Sequence, residues 1–128
     1  INSPITTIPG IGPVTGAIII SEFGDISRFD KPSKLVAFAG IDATVSQSGE
    51  FDGTHNVMSK RGSPYLRKAL FQAALVASNS DPVLKAYYQK KRAEGKHHKT
   101  CVGAVARKLC NIIYAILKND KPYEVPKQ

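Results

Sequence analysis

Ser48 lies beside Gly49 in a long polar stretch of the sequence, where a hydroxyl can be presented to a ligand. A serine hydroxyl becomes an effective nucleophile only when a neighbouring base or a metal ion removes its proton. Asp52 and His55 follow in the same stretch, although sequence spacing alone does not show that they approach Ser48. Ser46 offers a competing hydroxyl. Ser48 is therefore a candidate nucleophile, and an ordinary turn serine is the alternative interpretation.

Three cations lie downstream of this serine, around the expected start of a helix. Lys60 and Arg61 come before that start, and Arg67 lies just inside the helix that Ser63 and Pro64 are expected to begin. A helix N-terminus attracts anions through its free N–H groups and its dipole. Attack on a phosphodiester also needs cations that balance the charge of the transition state. These residues therefore predict a site for a nucleic-acid phosphate.

The charge of the chain changes sign close to these cations. The 128 residues carry 18 basic and 10 acidic side chains, a net charge of +8. Residues 1–58 have three bases against six acids, a net charge of −3, whereas residues 59–128 have fifteen against four, a net charge of +11. A basic half of this kind indicates nucleic acid bound through its phosphates. The alternative is a solvated basic surface that serves only solubility.

The turn Ile8-Pro9-Gly10-Ile11-Gly12 is a second candidate binding element. Pro13 suits the first position of a following helix, and Gly24 suits its end. The turn resembles the hairpin of a helix–hairpin–helix motif, in which turn amides hold a DNA phosphate. By this resemblance Gly10 and Gly12 are candidate nucleic-acid-binding residues, although the first helix of the motif is missing or truncated here. The alternative is a glycine-rich helix start that serves only packing.

Apolar residues at helical spacing predict a mainly α fold, a single domain of about five helices. The last helix, about Lys99–Lys118, is the most apolar and is expected to be central. Residues Lys121–Gln128 are expected to fray. The domain, residues 1–128, is predicted to consist of three parts: a helix–hairpin–helix-like part (1–40), a polar loop or short β-hairpin (41–62) and a helical part (63–118).

Other features of the sequence exclude several classes of protein. The longest apolar runs, such as Ala17–Ile20, are far shorter than the ~20 residues that span a bilayer, so no membrane partner is expected. Cys101 and Cys110 are predicted to be reduced core residues of a cytoplasmic protein. His97 and His98 with Cys101 lack a complete four-ligand set, so no metal or other cofactor is predicted for this chain. Because the first residue is Ile1, the chain is expected to be part of a larger protein.

The order of several short motifs along the chain resembles one family. The motifs are Ile8-Pro9-Gly10-Ile11-Gly12, Ser21-Glu22-Phe23-Gly24-Asp25, Phe38-Ala39-Gly40-Ile41-Asp42, Gln47-Ser48-Gly49 and Ser59-Lys60-Arg61-Gly62-Ser63-Pro64-Tyr65-Leu66-Arg67. This arrangement resembles the C-terminal domain of insertion-sequence transposases related to Piv-type DNA invertases, the family numbered one-ten, one-sixteen and nine-oh-two. The resemblance covers about residues 5–118.

The resemblance implies a specific role for Ser48, which matches the serine that is taken as the nucleophile for DNA strand exchange. Lys60 and Arg61 match the Ser-Lys-Arg-Gly run that follows in the family. The family's Mg²⁺ is bound by four acidic residues of an N-terminal RuvC-like domain, so this chain alone is expected to do no chemistry. DNA, a structured guide RNA made from the element and a second copy of the protein are the implied partners.

Three functions are compatible with the sequence. The first is a transposase domain that binds DNA and carries the nucleophile Ser48. The second is a non-catalytic helix–hairpin–helix module, in which Gly10 and Gly12 hold phosphates and Ser48 is incidental. The third is an assembly domain whose basic half contacts an acidic protein.

Overall fold

The computed structural model describes residues 3–42 and 63–124 of the chain. The α-helices within these ranges are α1 (Pro13–Phe23), α2 (Pro32–Ala39), α3 (Pro64–Ser80), α4 (Pro82–Ala93) and α5 (His98–Asn119). Two 3₁₀ turns, Pro4–Thr7 and Ile26–Arg28, precede α1 and α2 respectively. These ranges contain no strand, which confirms the predicted mainly α fold of five helices. The proposed β-hairpin falls on residues 43–62, which lie outside the described residues.

Local residue chemistry explains where the helices begin and end. Each of α1 to α4 has a proline in its first turn. The N–H groups of that turn have no acceptor within the helix, so a proline there costs no hydrogen bond. Gly24 and Gly40 follow α1 and α2 with φ of 69° and 75°, values that glycine adopts readily. Asp81 begins α4, where its Oδ2 accepts a hydrogen bond from the N–H of Leu84 at 2.9 Å.

Helix α5 is the central element of the fold, as the sequence predicts. It packs against α2, α3 and α4 and against both 3₁₀ turns. Its residues 101–106 are buried without interruption, which shows that the helix is enclosed on all sides there. Cys101 and Cys110, on opposite sides of the helix, are both buried as free thiols. Burial raises the pKa of the Cys110 thiol to about 12.

The same helix is the one in the described ranges that is long and apolar enough to cross a membrane by length and composition. Of its most apolar window, 56% is buried inside the fold. The central helix of a folded domain has the same length and composition, so this stretch is weak evidence for a membrane span.

Aromatic contacts hold the first two helices together. Phe23 of α1, Phe29 after the second 3₁₀ turn and Phe38 of α2 pack against one another with ring centroids 5.6–6.0 Å apart. The Arg28 guanidinium lies over the rings of Phe29 and Phe38, at 5.0 and 5.4 Å from their centroids. The hydroxyl of Tyr114, on α5, donates to the Phe29 carbonyl at 2.9 Å and ties this cluster to the central helix.

The segment after α5 is anchored, so the expectation that it frays was wrong at Tyr123. The Tyr123 hydroxyl donates to Oδ1 of Asp81 at 2.6 Å, and its backbone N–H donates to Thr7 Oγ1 at 2.8 Å. Asp81 is fully buried, so this bond satisfies the second oxygen of a carboxylate that water does not reach. Burial and the neighbouring Asp81 carboxylate raise the pKa of Tyr123 above its usual range.

Candidate nucleic-acid interface

The structure describes half of the residues predicted to form the site. Gly10, Gly12 and Arg67 lie within the described ranges, whereas Ser48, Lys60 and Arg61 fall on residues 43–62, outside them. The roles predicted for all six residues, and the boundaries proposed for the three parts of the chain, stay predictions. The described part shows what surrounds Gly10 and Gly12 and what holds the two ends of the segment that contains Ser48.

Gly10 packs directly against the backbone of α3. Its φ is +98°, and a Cβ added to it would lie 2.6 Å from the carbonyl oxygen of Ala73 and 3.1 Å from the nitrogen of Ala77. Atoms this close overlap, so only glycine allows the turn and α3 to meet here. Packing alone therefore accounts for the glycine at this position.

Gly12 is placed differently, at the open start of α1. A Cβ on Gly12 would meet nothing within 4 Å, and the residue is exposed. Its carbonyl accepts the N–H of Gly16 at 2.8 Å, the first bond of the helix, and no side chain caps this end. Beyond it Val14 is 75% exposed. Of the two glycines, Gly12 is the one at a helix N-terminus that a phosphate can approach.

The residue that follows the segment 43–62 is held by an acidic side chain. Ser63 is the N-cap residue of α3 by position, as predicted, yet its side chain makes no capping bond. Its hydroxyl oxygen is buried and has no hydrogen-bond partner among the described residues. Instead its backbone N–H donates to Oε1 of Glu22 on α1 at 2.9 Å. A carboxylate thus already lies at the positive end of α3, where the sequence suggested a bound phosphate.

Arg107 holds the other end of this segment and is the candidate site residue that sequence reasoning missed. Its Nη1 donates to the carbonyl of Ile41 at 3.2 Å. A Cβ on Gly103 would lie 3.6 Å from this Nη1 and 3.7 Å from Cε1 of Phe71 on α3. Because Arg67 lies one helical turn from Phe71, we infer that both arginines lie in the same region, where α3 and α5 pack. The signal in the sequence was a basic pair, Arg107 and Lys108, within an otherwise apolar stretch of α5.

The exposed cations of α4 and α5 form the larger part of the candidate interface. Lys85, Lys90 and Arg92 are exposed along α4. Among the described residues, the one ion pair joins Lys91 and Glu94 at 3.7 Å. Two lysines lie over the Tyr87 ring, with Nζ of Lys91 at 5.3 Å and Nζ of Lys108 at 4.5 Å from its centroid. Most of this positive charge is therefore not neutralised by described carboxylates, and it remains available to phosphates.

The two histidines near the start of α5 serve the fold. His97 is the N-cap residue, and its Nδ1 accepts the N–H of Lys99 at 3.4 Å. Nδ1 of His98 shares a hydrogen bond with the Tyr88 hydroxyl at 2.6 Å, and the two rings meet edge to face. Among the described residues, no group of three or more His, Cys, Asp or Glu side chains lies close enough to hold a metal ion.

Comparison with protein families decides the class of this chain. Residues 2–89 match the model of the transposase family IS116/IS110/IS902. The chain belongs to this transposase family. The match covers 88 of 128 residues and includes every predicted site residue from Gly10 to Arg67. The predicted family is thereby confirmed.

Individual members of the transposase family match nearly the whole chain. The 43.6 kDa protein of insertion element IS110 from Streptomyces coelicolor is 32% identical over 124 residues, which are 95% of this chain and 30% of that protein. The pilin gene-inverting protein of Moraxella bovis is 31% identical over 123 residues, 95% of this chain and 38% of the relative. The 42 kDa protein of IS900 from Mycobacterium paratuberculosis is 32% identical over 120 residues, 93% of this chain and 30% of the relative. The chain thus spans about a third of the length of these relatives.

Proposed function

We propose that this chain is the DNA-binding part of a transposase and that it carries the nucleophile Ser48. Ser48 attacks a DNA phosphodiester and forms a phosphoseryl link, while its proton passes to a base and the 3′ or 5′ oxygen of the broken strand leaves. Lys60 and Arg61 balance the charge of the transition state. Mg²⁺ and its acidic ligands belong to a companion domain of the complete protein, and a structured guide RNA and a second copy are further partners of that protein.

The exposed cations of α4 and α5 are the observation that carries DNA binding. They lie on α5, the central helix, and on α4, which packs against it, so the packing of the two helices sets the positions of the cations relative to one another. With one ion pair among the described residues, little of their charge is offset within the domain. Phosphate contacts supply most of the affinity of a protein for DNA in general, and lysines and arginines supply most of those contacts.

Arg67 and Arg107 extend this surface towards the ends of the segment that contains Ser48. Arg107 uses one of its five N–H donors on the Ile41 carbonyl, which leaves donors for a phosphate oxygen. Guanidinium groups bind phosphate in a bidentate manner, which fixes orientation as well as affinity. We therefore add Arg107 to the phosphate-binding residues of the proposed site.

The salt dependence of DNA binding tests this proposal. The affinity of the chain for a 20-base-pair duplex is measured by fluorescence anisotropy at NaCl concentrations of about 50 to 300 mM. Each phosphate contact contributes about −0.9 to the slope of log K against the logarithm of the salt concentration. Lys90→Gln should remove one phosphate contact and so reduce the magnitude of the slope by about 0.9. Lys34→Gln, a matched exposed lysine on α2 in the acidic half, should leave it unchanged. A chain that binds no duplex at 50 mM salt would contradict the proposal.

A non-catalytic helix–hairpin–helix module is the second candidate, and the open start of α1 at Gly12 favours it. In this function the amides beyond Gly12 hold a phosphate and Ser48 takes no part. Gly12→Glu would place a negative charge at that helix start, and it should weaken duplex binding at least about tenfold if a phosphate lies there. An unchanged affinity would reject this module.

A further inference from the structure

An open groove lies between α3 and the N-terminal part of α5. Its volume is about 520 Å³, within the roughly 300–1,000 Å³ that small-molecule sites occupy. Seven described residues line it: Phe71, Gln72, Leu75, His98, Lys99, Thr100 and Val102. None of the functions considered so far uses this groove.

The groove combines an apolar interior with a polar and basic rim. Phe71, Leu75 and Val102 supply an aromatic ring and two aliphatic side chains, and Leu75 remains 44% exposed. Gln72 adds an amide that both donates and accepts hydrogen bonds. The lining residues include no carboxylate. A ligand that fits must therefore have an apolar part and a negative charge.

The negative charge of such a ligand has a defined place. Lys99 and Thr100 belong to the first turn of α5, where the dipole of a 22-residue helix is positive. Lys99 is exposed, and within the described residues it has no ion-pair partner. A phosphate at this rim meets the ammonium group and the positive end of the helix together.

We propose that this groove binds one unpaired nucleotide of the nucleic acid, an inference that rests on the proposed DNA-binding function. The base lies against Phe71 and Leu75, Gln72 hydrogen-bonds its edge, and its phosphate lies beside Lys99. A nucleotide satisfies both halves of the groove, because its base has apolar faces and polar edges while its phosphate carries full charge. Aromatic walls combined with basic rims are how proteins commonly hold single-stranded nucleic acid.

Two DNA probes that differ by one base test the inference. The first is a duplex with a single extra, unpaired thymidine, and the second carries an abasic residue at the same position. Their charges are equal, so any difference in affinity reports the base. Stacking of one base should raise the affinity for the thymidine probe by about 5- to 150-fold over the abasic probe, measured by fluorescence anisotropy.

Variants of the groove identify where that preference arises. Gln72→Ala should reduce the preference for the thymidine probe, and Lys99→Gln should weaken binding of both probes. Lys90→Gln replaces an exposed lysine of α4 that does not line the groove, so it should weaken binding of both probes and keep the ratio of their affinities. Because the chain has no tryptophan, Leu75→Trp adds a fluorophore to the groove, and its emission should be quenched by the thymidine probe more than by the abasic probe.

The outcomes separate this inference from the function on which it rests. Equal affinities for the two probes, with equal quenching of Leu75→Trp, would overturn the nucleotide site and leave the groove to a protein segment. DNA binding itself would then stand. Failure of both probes to bind at 50 mM salt would overturn the proposed function and this inference together. Circular dichroism of each variant shows that a loss of preference does not come from unfolding.

Discussion

Gly10→Ala should destabilise the fold strongly, because both the conformation and the surroundings of Gly10 exclude a side chain. A non-glycine residue in a left-handed conformation such as φ +98° costs about 1–2 kcal/mol. The added Cβ would also lie 2.6 Å from the Ala73 carbonyl oxygen, and forcing extra atoms into a packed site costs about 1–3 kcal/mol. The two effects together predict a loss of about 2–5 kcal/mol in the free energy of unfolding.

Urea denaturation followed by circular dichroism measures this loss, and Gly12→Ala is the matched control. Gly12 has a φ of −87° and open space around its Cβ position, so its replacement should change the free energy of unfolding by less than about 1 kcal/mol. Equal effects of the two substitutions would refute the close packing of the turn against α3. A large loss only at Gly10 would agree with it.

Three further predictions concern two tertiary hydrogen bonds and one buried thiol. Tyr123→Phe should lower the free energy of unfolding by about 1–3 kcal/mol at pH 7, because it leaves the buried Asp81 oxygen without its donor. Because the pKa of Tyr123 is raised in the folded protein, its contribution to the free energy of unfolding is fully present below pH 10.0, the ordinary pKa of tyrosine. That contribution is lost as the pH rises through the higher folded pKa. In urea titrations the free energies of unfolding of the variant and the parent should therefore converge above pH 10.0. Cys110, with a pKa of about 12 and no exposure, should react with iodoacetamide at pH 8 only as fast as the fold opens, and rapid labelling in native buffer would contradict its burial. Arg107→Met should lower the free energy of unfolding by about 1–3 kcal/mol, because it removes a charged hydrogen bond to Ile41. An unchanged urea midpoint would show that this bond is absent in solution.

Helix positions could be predicted because the signals that start and end them are local. A proline in the first turn and a glycine after the last one act within a few residues of the boundary they set. Pro13 and Gly24 thus delimit α1, and Asp81 with Pro82 separates α3 from α4, as the structure confirms. The centrality of α5 followed equally from its apolar sequence.

Contacts between distant parts of the chain could not be predicted in this way. Glu22 meets Ser63 across 41 residues, Tyr123 meets Asp81 across 42, and Arg107 meets Ile41 across 66. Each donor or acceptor type is common, and its partner is chosen by how the helices pack. Residues near the chain end therefore looked free to fray, although tertiary packing anchors one of them.

In the candidate site, too, local features could be predicted from the sequence and contacts between distant residues could not. The turn at Gly10 was recognisable from sequence, but only the structure reveals that its glycine is required by α3. The cations of α4 were visible as a charge excess, whereas the groove beside Lys99 arises from the packing of α3 and α5. Sequence thus indicates which chemistry is available, and packing decides which residues share a surface.

The proposed covalent link between Ser48 and DNA can be tested directly. The most direct measurement incubates the complete transposase with end-labelled DNA that carries its recombination site, in the presence of Mg²⁺, and resolves protein–DNA adducts on a denaturing gel. We expect an adduct for the parent protein and for Ser46→Ala, with phosphoserine at position 48 identified by mass spectrometry, and none for Ser48→Ala. An adduct that persists in Ser48→Ala would contradict the proposed role of Ser48.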